Sequence, residues 1–85
     1  MPRFYLHVCN GTGFTEDHDG LEFPGLEEAR EAAIRGLREI LAGELKEGQL
    51  NQASFVEIVN DAGELQSIVS FEDAVNVTTE RPDRA

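Results

Sequence analysis

Residues 26–47 read LEEAREAAIRGLREILAGELKE, from Leu26 to Glu47. Leu26, Ala29, Ala33, Ile34, Leu37, Ile40, Leu41 and Leu45 recur mostly at spacings of three and four. That period gathers them on one face of an amphipathic helix, whereas a strand would alternate with period two. Glu27, Glu28, Glu31, Arg35, Arg38 and Glu39 fall on the opposite side. Glu31 and Arg35 form an i,i+4 pair in the favourable order, worth about 0.2–0.5 kcal/mol. Pro24-Gly25 marks the start, Glu27 and Glu28 complement the helix dipole, and Gly48 follows Lys46 as a stop. Gly36 and Gly43 each cost about 1 kcal/mol relative to Ala. Either the helix tolerates them, or Gly36 admits another backbone at the edge of the apolar face.

A helix of this length runs about 33 Å, against about 23 Å for a seven-residue strand. Its last turns are therefore expected to overhang any sheet it covers. Glu44 fits this, because it sits at the centre of the apolar face, where a charge requires the sheet to have ended. Arg30 also points towards that face and is expected to snorkel at its margin.

Strand patterns flank the helix on both sides. Phe4, Leu6 and Val8 alternate with Tyr5, His7 and Cys9 in a first strand, Arg3 to Cys9. Asn10-Gly11-Thr12-Gly13 is a turn, Phe14 to Asp17 a return strand, and Asp17-His18-Asp19-Gly20 a second turn. Leu21 to Phe23 is a short extended piece. After a polar connection, Phe55 to Asn60 forms a third strand, Asp61-Ala62-Gly63 a hairpin turn, and Glu64 to Phe71 a fourth strand. Ser70 and Asp73 make a capping box for a helical turn over Phe71 to Val75. The predicted fold is α+β: a two-layer ββαββ domain over residues 1–75, with a four-stranded antiparallel sheet in order 2-1-3-4 under one long helix. Residues 76–85, which include Pro82, are predicted to be a frayed polar tail.

With 85 residues the chain makes one domain. Seven basic and seventeen acidic residues give a net charge of −10, which argues against a nucleic-acid or anionic-membrane binder. A basic protein is the charged partner this balance suits. A single cysteine, Cys9, permits no intrachain disulfide. Together with the lack of an N-terminal signal pattern or long apolar run, this predicts a cytoplasmic protein.

One helix covers one side of a four-stranded sheet. Phe4, Leu6, Val8, Val56, Ile58, Leu65, Val69 and Phe71 are assigned to that side. The other side then carries Tyr5, His7, Cys9, Phe55, Glu57, Val59, Gln66 and Ile68, more apolar than a solvated sheet face needs to be. Tyr5, His7, Phe55, Glu57, Val59 and Ile68 are the candidate interface of a two-fold homodimer.

No chemistry-bearing motif competes with this. His7 and Cys9 share a strand face, but no Cys-x-x-Cys or His-Glu-x-x-His spacing supplies a metal site. Asp17-x-Asp19-Gly20 has part of a calcium-loop pattern without its bidentate Glu, and is expected to be an acidic turn. Gly11 and Gly13 precede no helix and no Lys, so they form no phosphate loop. No catalytic, cofactor-binding or metal-ligating residue is assigned, and no enzyme is expected.

The opening Met1-Pro2-Arg3-Phe4-Tyr5-Leu6-His7-Val8 resembles a family of small bacterial proteins catalogued as a domain of unknown function. Asp19-Gly20, Leu26-Glu27-Glu28-Ala29-Arg30, and Asp61-Ala62-Gly63 through Val69-Ser70-Phe71-Glu72-Asp73-Ala74 extend the resemblance to about Val75. Cys9, where that family more often has Arg, and Gly25, where an acidic cap is usual, depart from it. The resemblance implies no activity, and marks His7 as a position of interest. A hairpin followed by a Leu-Glu-Glu-Ala helix is also similar to the HicB-type antitoxin domain, which neutralises a basic RNA-cleaving partner. That domain sets three strands before its helix and one after, where this sequence shows two and two.

Overall fold

The computed structural model describes residues 1–11 and 13–82. The long helix, α1, spans Leu26–Lys46, and the elements before it are β1 (Arg3–Asn10), β2 (Gly13–Thr15) and β3 (Leu21–Glu22). After it come β4 (Phe55–Asn60), β5 (Leu65–Ser70) and a one-turn helix, α2 (Phe71–Ala74). The sheet is antiparallel, ordered β2-β1-β4-β5, and β3 pairs with β1 on the edge that β2 also uses. The α+β class and the neighbours of the four main strands are those predicted. The short extended piece at Leu21 pairs with β1 as a fifth strand, where a four-stranded sheet was expected.

The core lies between α1 and one sheet face. Ala29, Ala33, Leu37 and Leu41, four residues apart, form the buried stripe of α1. They meet Phe4, Val56, Ile58 and Val69 from the sheet and Phe71 and Ala74 from α2. Leu6 and Val8 are half-buried against this cluster, as are Leu26 and Ile34. The two alanines let the helix backbone sit close to the strands, and burying Leu37 or Ile58 fully contributes about 1.5–3 kcal/mol each.

Past Leu41 the helix runs beyond the sheet. Leu45 is 60% exposed, and Glu44 turns its carboxylate to the following connection, where Oε1 accepts the Asn51 N–H at 3.0 Å. Added methyls at Gly36 and Gly43 would meet nothing within 4 Å, so no backbone approaches Gly36 and the helix tolerates both glycines. Arg30 does more than cover an apolar margin. Its Nη1 donates to Ser67 Oγ and, at 3.3 Å, to the Ile68 carbonyl, with Asp73 3.9 Å from Nη2. Arg38 Nε donates to the Ala74 carbonyl at 2.7 Å. These contacts hold α1 against β5 and α2. The predicted capping box is present in α2: Ser70 Oγ accepts the Asp73 N–H, and Asp73 returns the favour to the Ser70 N–H at 2.9 Å. The bonds from Ser70, backbone first and hydroxyl second, with Arg30 adding charge, hold the Asp73 carboxyl below its ordinary pKa against slight desolvation.

One assignment to the core is corrected. Leu65 was placed on the helix side, in phase with Val69 and Phe71. It is instead 54% exposed and lies opposite Val59, on the other face. The β4–β5 ladder pairs Ile58 with Ser67 but Val59 with Leu65, so Gln66 is an extra residue in a β-bulge. A bulge breaks period-two alternation, and everything before it changes face.

Of the predicted tail, residues 76–82 are exposed and without regular secondary structure, and residues 83–85 lie outside the described residues.

Candidate interface on the open sheet face

The face away from α1 is organised by the loop between β2 and β3. The return strand was expected to reach Asp17 but stops at Thr15, because Asp17 supplies with its side chain what a strand would supply with its backbone. Asp17 Oδ2 accepts the Leu6 N–H at 3.1 Å on the exposed edge of β1. Its Oδ1 accepts the Asp19 N–H at 3.2 Å and the Gly20 N–H at 3.0 Å, which closes an Asx turn. The Asp17 N–H in turn donates to His7 Nδ1 at 2.9 Å. Burial alone would raise the Asp17 pKa. The N–H groups of Gly20, Leu6 and Asp19, with His7 nearby, prevail and leave it below the ordinary carboxylate value.

Two further contacts press this loop against β1. Arg3 Nη1 donates to the Asp19 carbonyl at 2.8 Å. Gly20 is buried with φ +67°, and a Cβ there would stand 2.8 Å from the Phe4 carbonyl oxygen and 2.9 Å from the Tyr5 ring. Only glycine fits both the conformation and the space.

Cross-strand register then lays the open face out in three rows. The first is Phe14, Cys9, Phe55 and Ser70; the second is His7, Glu57 and Ile68; the third is Tyr5, Val59 and Leu65. Phe14, Leu65 and Ile68 are 56%, 54% and 46% exposed, and the others are half-buried. The His7 and Phe14 rings are 5.8 Å apart and tilted. At the end of the third row, Tyr5 Oη donates to Asp61 Oδ1 at 3.1 Å. That bond, then desolvation and the Asp61 charge, raise the phenol's pKa. All six residues expected at an interface, Tyr5, His7, Phe55, Glu57, Val59 and Ile68, share this face. Gln66 does not fit the rows, because it is the bulge residue.

Sequence reasoning missed Phe14, Leu65, Asp17 and Gly20. The Asn-Gly turn carried the signal for Phe14, since a hairpin closing at Asn10 and Gly13 sets Phe14 beside Cys9. Asp17-x-x-Gly20 carried a turn signal as well, but nothing local says that its carboxylate reaches Leu6.

Among the described residues no three His, Cys, Asp or Glu side chains form a metal-binding group, and both Asp17 oxygens are already taken by N–H groups. His18 Nδ1 lies 3.3 Å from Glu16 Oε2, exposed on the same loop. A shallow open cleft of about 630 Å³ at the end of α1 is lined, among the described residues, by Gly11, Glu44 and residues 49–52, with Glu44 its one ionisable side chain. Among the described residues no helix is long and apolar enough to cross a membrane.

A family model described as Domain of unknown function DUF6894 matches residues 3–72. The chain belongs to the DUF6894 family. The match runs from the first residue of β1 into α2, so the five strands, α1 and the Asp17–Gly20 loop all lie within the DUF6894 domain. No curated protein and no solved structure matches the chain. The DUF6894 description names no activity, ligand or partner.

Proposed function

We propose that this DUF6894 domain is a small non-catalytic interaction or regulatory module that homodimerises through its open sheet face. The observation that carries the proposal is the three-row surface itself, in which Phe14, Leu65 and Ile68 stand in solvent beside Tyr5, Phe55 and Val59. A contiguous apolar patch on a small acidic domain is the expected signature of an interface.

The edges of the sheet are less available. At β5, Arg30 occupies the Ile68 carbonyl and Asp73 the Ser70 N–H; at the opposite edge, β2 and β3 are only three and two residues long. Strand addition is thereby blunted, which leaves the face. Four strands about 4.8 Å apart and about 20 Å long offer a flat footprint of roughly 400 Å², raised by side-chain relief. Side-chain relief must raise this towards the roughly 600–1,000 Å² per partner that standard interfaces bury.

Sedimentation equilibrium at micromolar concentration tests the proposal. The wild type is expected to be a dimer, and Phe55→Glu a folded monomer by circular dichroism. A monomeric wild type overturns it.

A second proposed function, an antitoxin-like binder of a basic protein, is favoured by the net charge of −10 and by the third strand ahead of the helix. It predicts a 1:1 complex with a basic protein that survives Phe55→Glu, because the acidic surface, not the open face, would make the contact.

A further inference from the structure

We propose that the two-fold axis of the dimer runs along the β1–β4 ladder, so that His7 of each copy meets Glu57 of the partner subunit. This rests on the face-to-face dimer proposed above and specifies how the second copy sits.

Glu57 is the only carboxylate in the three rows, and it lies at their centre, directly across from His7. Glu57 is half-buried, and no hydrogen bond or ion pair to its carboxylate is made among the described residues. Covering the face desolvates this charge, and a desolvated carboxylate requires a donor. His7 is the donor already oriented. Its Nδ1 accepts the Asp17 N–H, which makes Nε2 the protonated nitrogen and fixes the plane of the ring. The remaining N–H, on a residue of the open face, donates to no described residue.

Symmetry decides how the two groups meet. β1 and β4 are the central strands, so an axis parallel to them and midway between centres the contact. Such an axis lays β1 of one copy over β4 of the other at equal height. The in-register pairs His7–Glu57, Tyr5–Val59 and Cys9–Phe55 then become reciprocal contacts between copies. Both carboxylates receive a donor, and the apolar rows on either side exclude water. An axis across the strands through the same row would set Glu57 upon Glu57 and His7 upon His7. That brings the two carboxylates together and gives neither a facing donor.

The two axes separate by cross-linking at single cysteines. Facing sheets stand about 10 Å apart and strands about 4.8 Å apart, so the axis along the strands puts Cys9 about 11 Å from its twin and Ile68 about 18 Å from its own. The axis across the strands reverses this, with Ile68 facing Ile68 and Cys9 about 17 Å from its twin. The full chain is treated with a short bis-maleimide under conditions where sedimentation reports a dimer. The variants, Tyr5→Cys and Ile68→Cys, are made with Cys9→Ser. Tyr5→Cys repeats the Cys9 geometry in the opposite row in case the half-buried Cys9 reacts slowly.

The expected result is covalent dimer from the wild type and from Tyr5→Cys, and its loss in Ile68→Cys. Covalent dimer from Ile68→Cys alone overturns the axis and leaves the open-face dimer standing. A dimer by sedimentation that none of these sites cross-links overturns both, as does a monomeric wild type.

Discussion

The backbone N–H of Asp17 donates to Nδ1 of His7 at 2.9 Å, while the carboxylate of the same aspartate accepts the N–H of Leu6, the residue next to His7. One loop residue thus completes the edge of β1 and orients the histidine at the centre of the open face. Asp17→Ala removes the acceptor for three backbone N–H groups. A loss of about 2 kcal/mol is expected from bonds of this charged kind, read by urea denaturation at neutral pH.

The same aspartate sets an acid dependence. Its folded pKa lies below the ordinary value of about 3.9. A carboxyl held low when folded stabilises the fold above its unfolded pKa, and that contribution disappears as pH falls through the folded one. The stability gap between wild type and Asp17→Asn should be full at neutral pH and close progressively below about pH 4. Denaturation midpoints measured from neutral to acid pH check this. A gap that stays constant contradicts the role given to the carboxylate.

Gly20→Ala should be among the most damaging single substitutions outside the core. Its φ of +67° strains an L side chain, and the new methyl meets the Phe4 carbonyl and the Tyr5 ring inside contact distance. A cost of about 2 kcal/mol or more is expected, with broadening of the Tyr5 and His7 resonances in NMR spectra. Gly13 and Gly63 also have positive φ but face open space, so alanine there costs only backbone strain.

Gly36→Ala and Gly43→Ala should each raise stability by about 1 kcal/mol, since both sit inside α1 and nothing lies within 4 Å of the added methyl. Thermal melts of the single and double variants measure it. A destabilised Gly36→Ala would mean that something docks on that part of the helix.

Leu65 and Leu37 offer a contrast between two leucines. Leu37→Ala opens the centre of the core and should cost about 2–5 kcal/mol. Leu65→Ser, on the exposed side of the bulge, should leave the unfolding free energy of the monomer within about 0.5 kcal/mol and weaken the proposed dimer instead. Denaturation at low concentration together with sedimentation separates the two effects.

Local sequence determined α1 almost to the residue, because a spacing of three and four over a stretch this long admits no other regular structure. It determined β1, β4, both hairpin turns and the Ser70–Asp73 capping box in the same way, from alternation and turn chemistry within a few neighbours. It also placed all six expected interface residues on one face, since β1, with β4 and β5 beyond their turn, keep strict alternation where those residues lie.

Tertiary structure decided whatever depended on a partner far along the chain. The bulge at Gln66 moved Leu65 off the core side, and no residue type there announces a bulge. Leu21–Glu22 became a strand only because β2 stops short and leaves part of the β1 edge open. Asp17 spans that opening with a side chain, which a pattern of backbone periods does not register. Alternation and capping act over a few residues, whereas register, edge closure and the setting of His7 are settled by contacts that exist only once the sheet has formed.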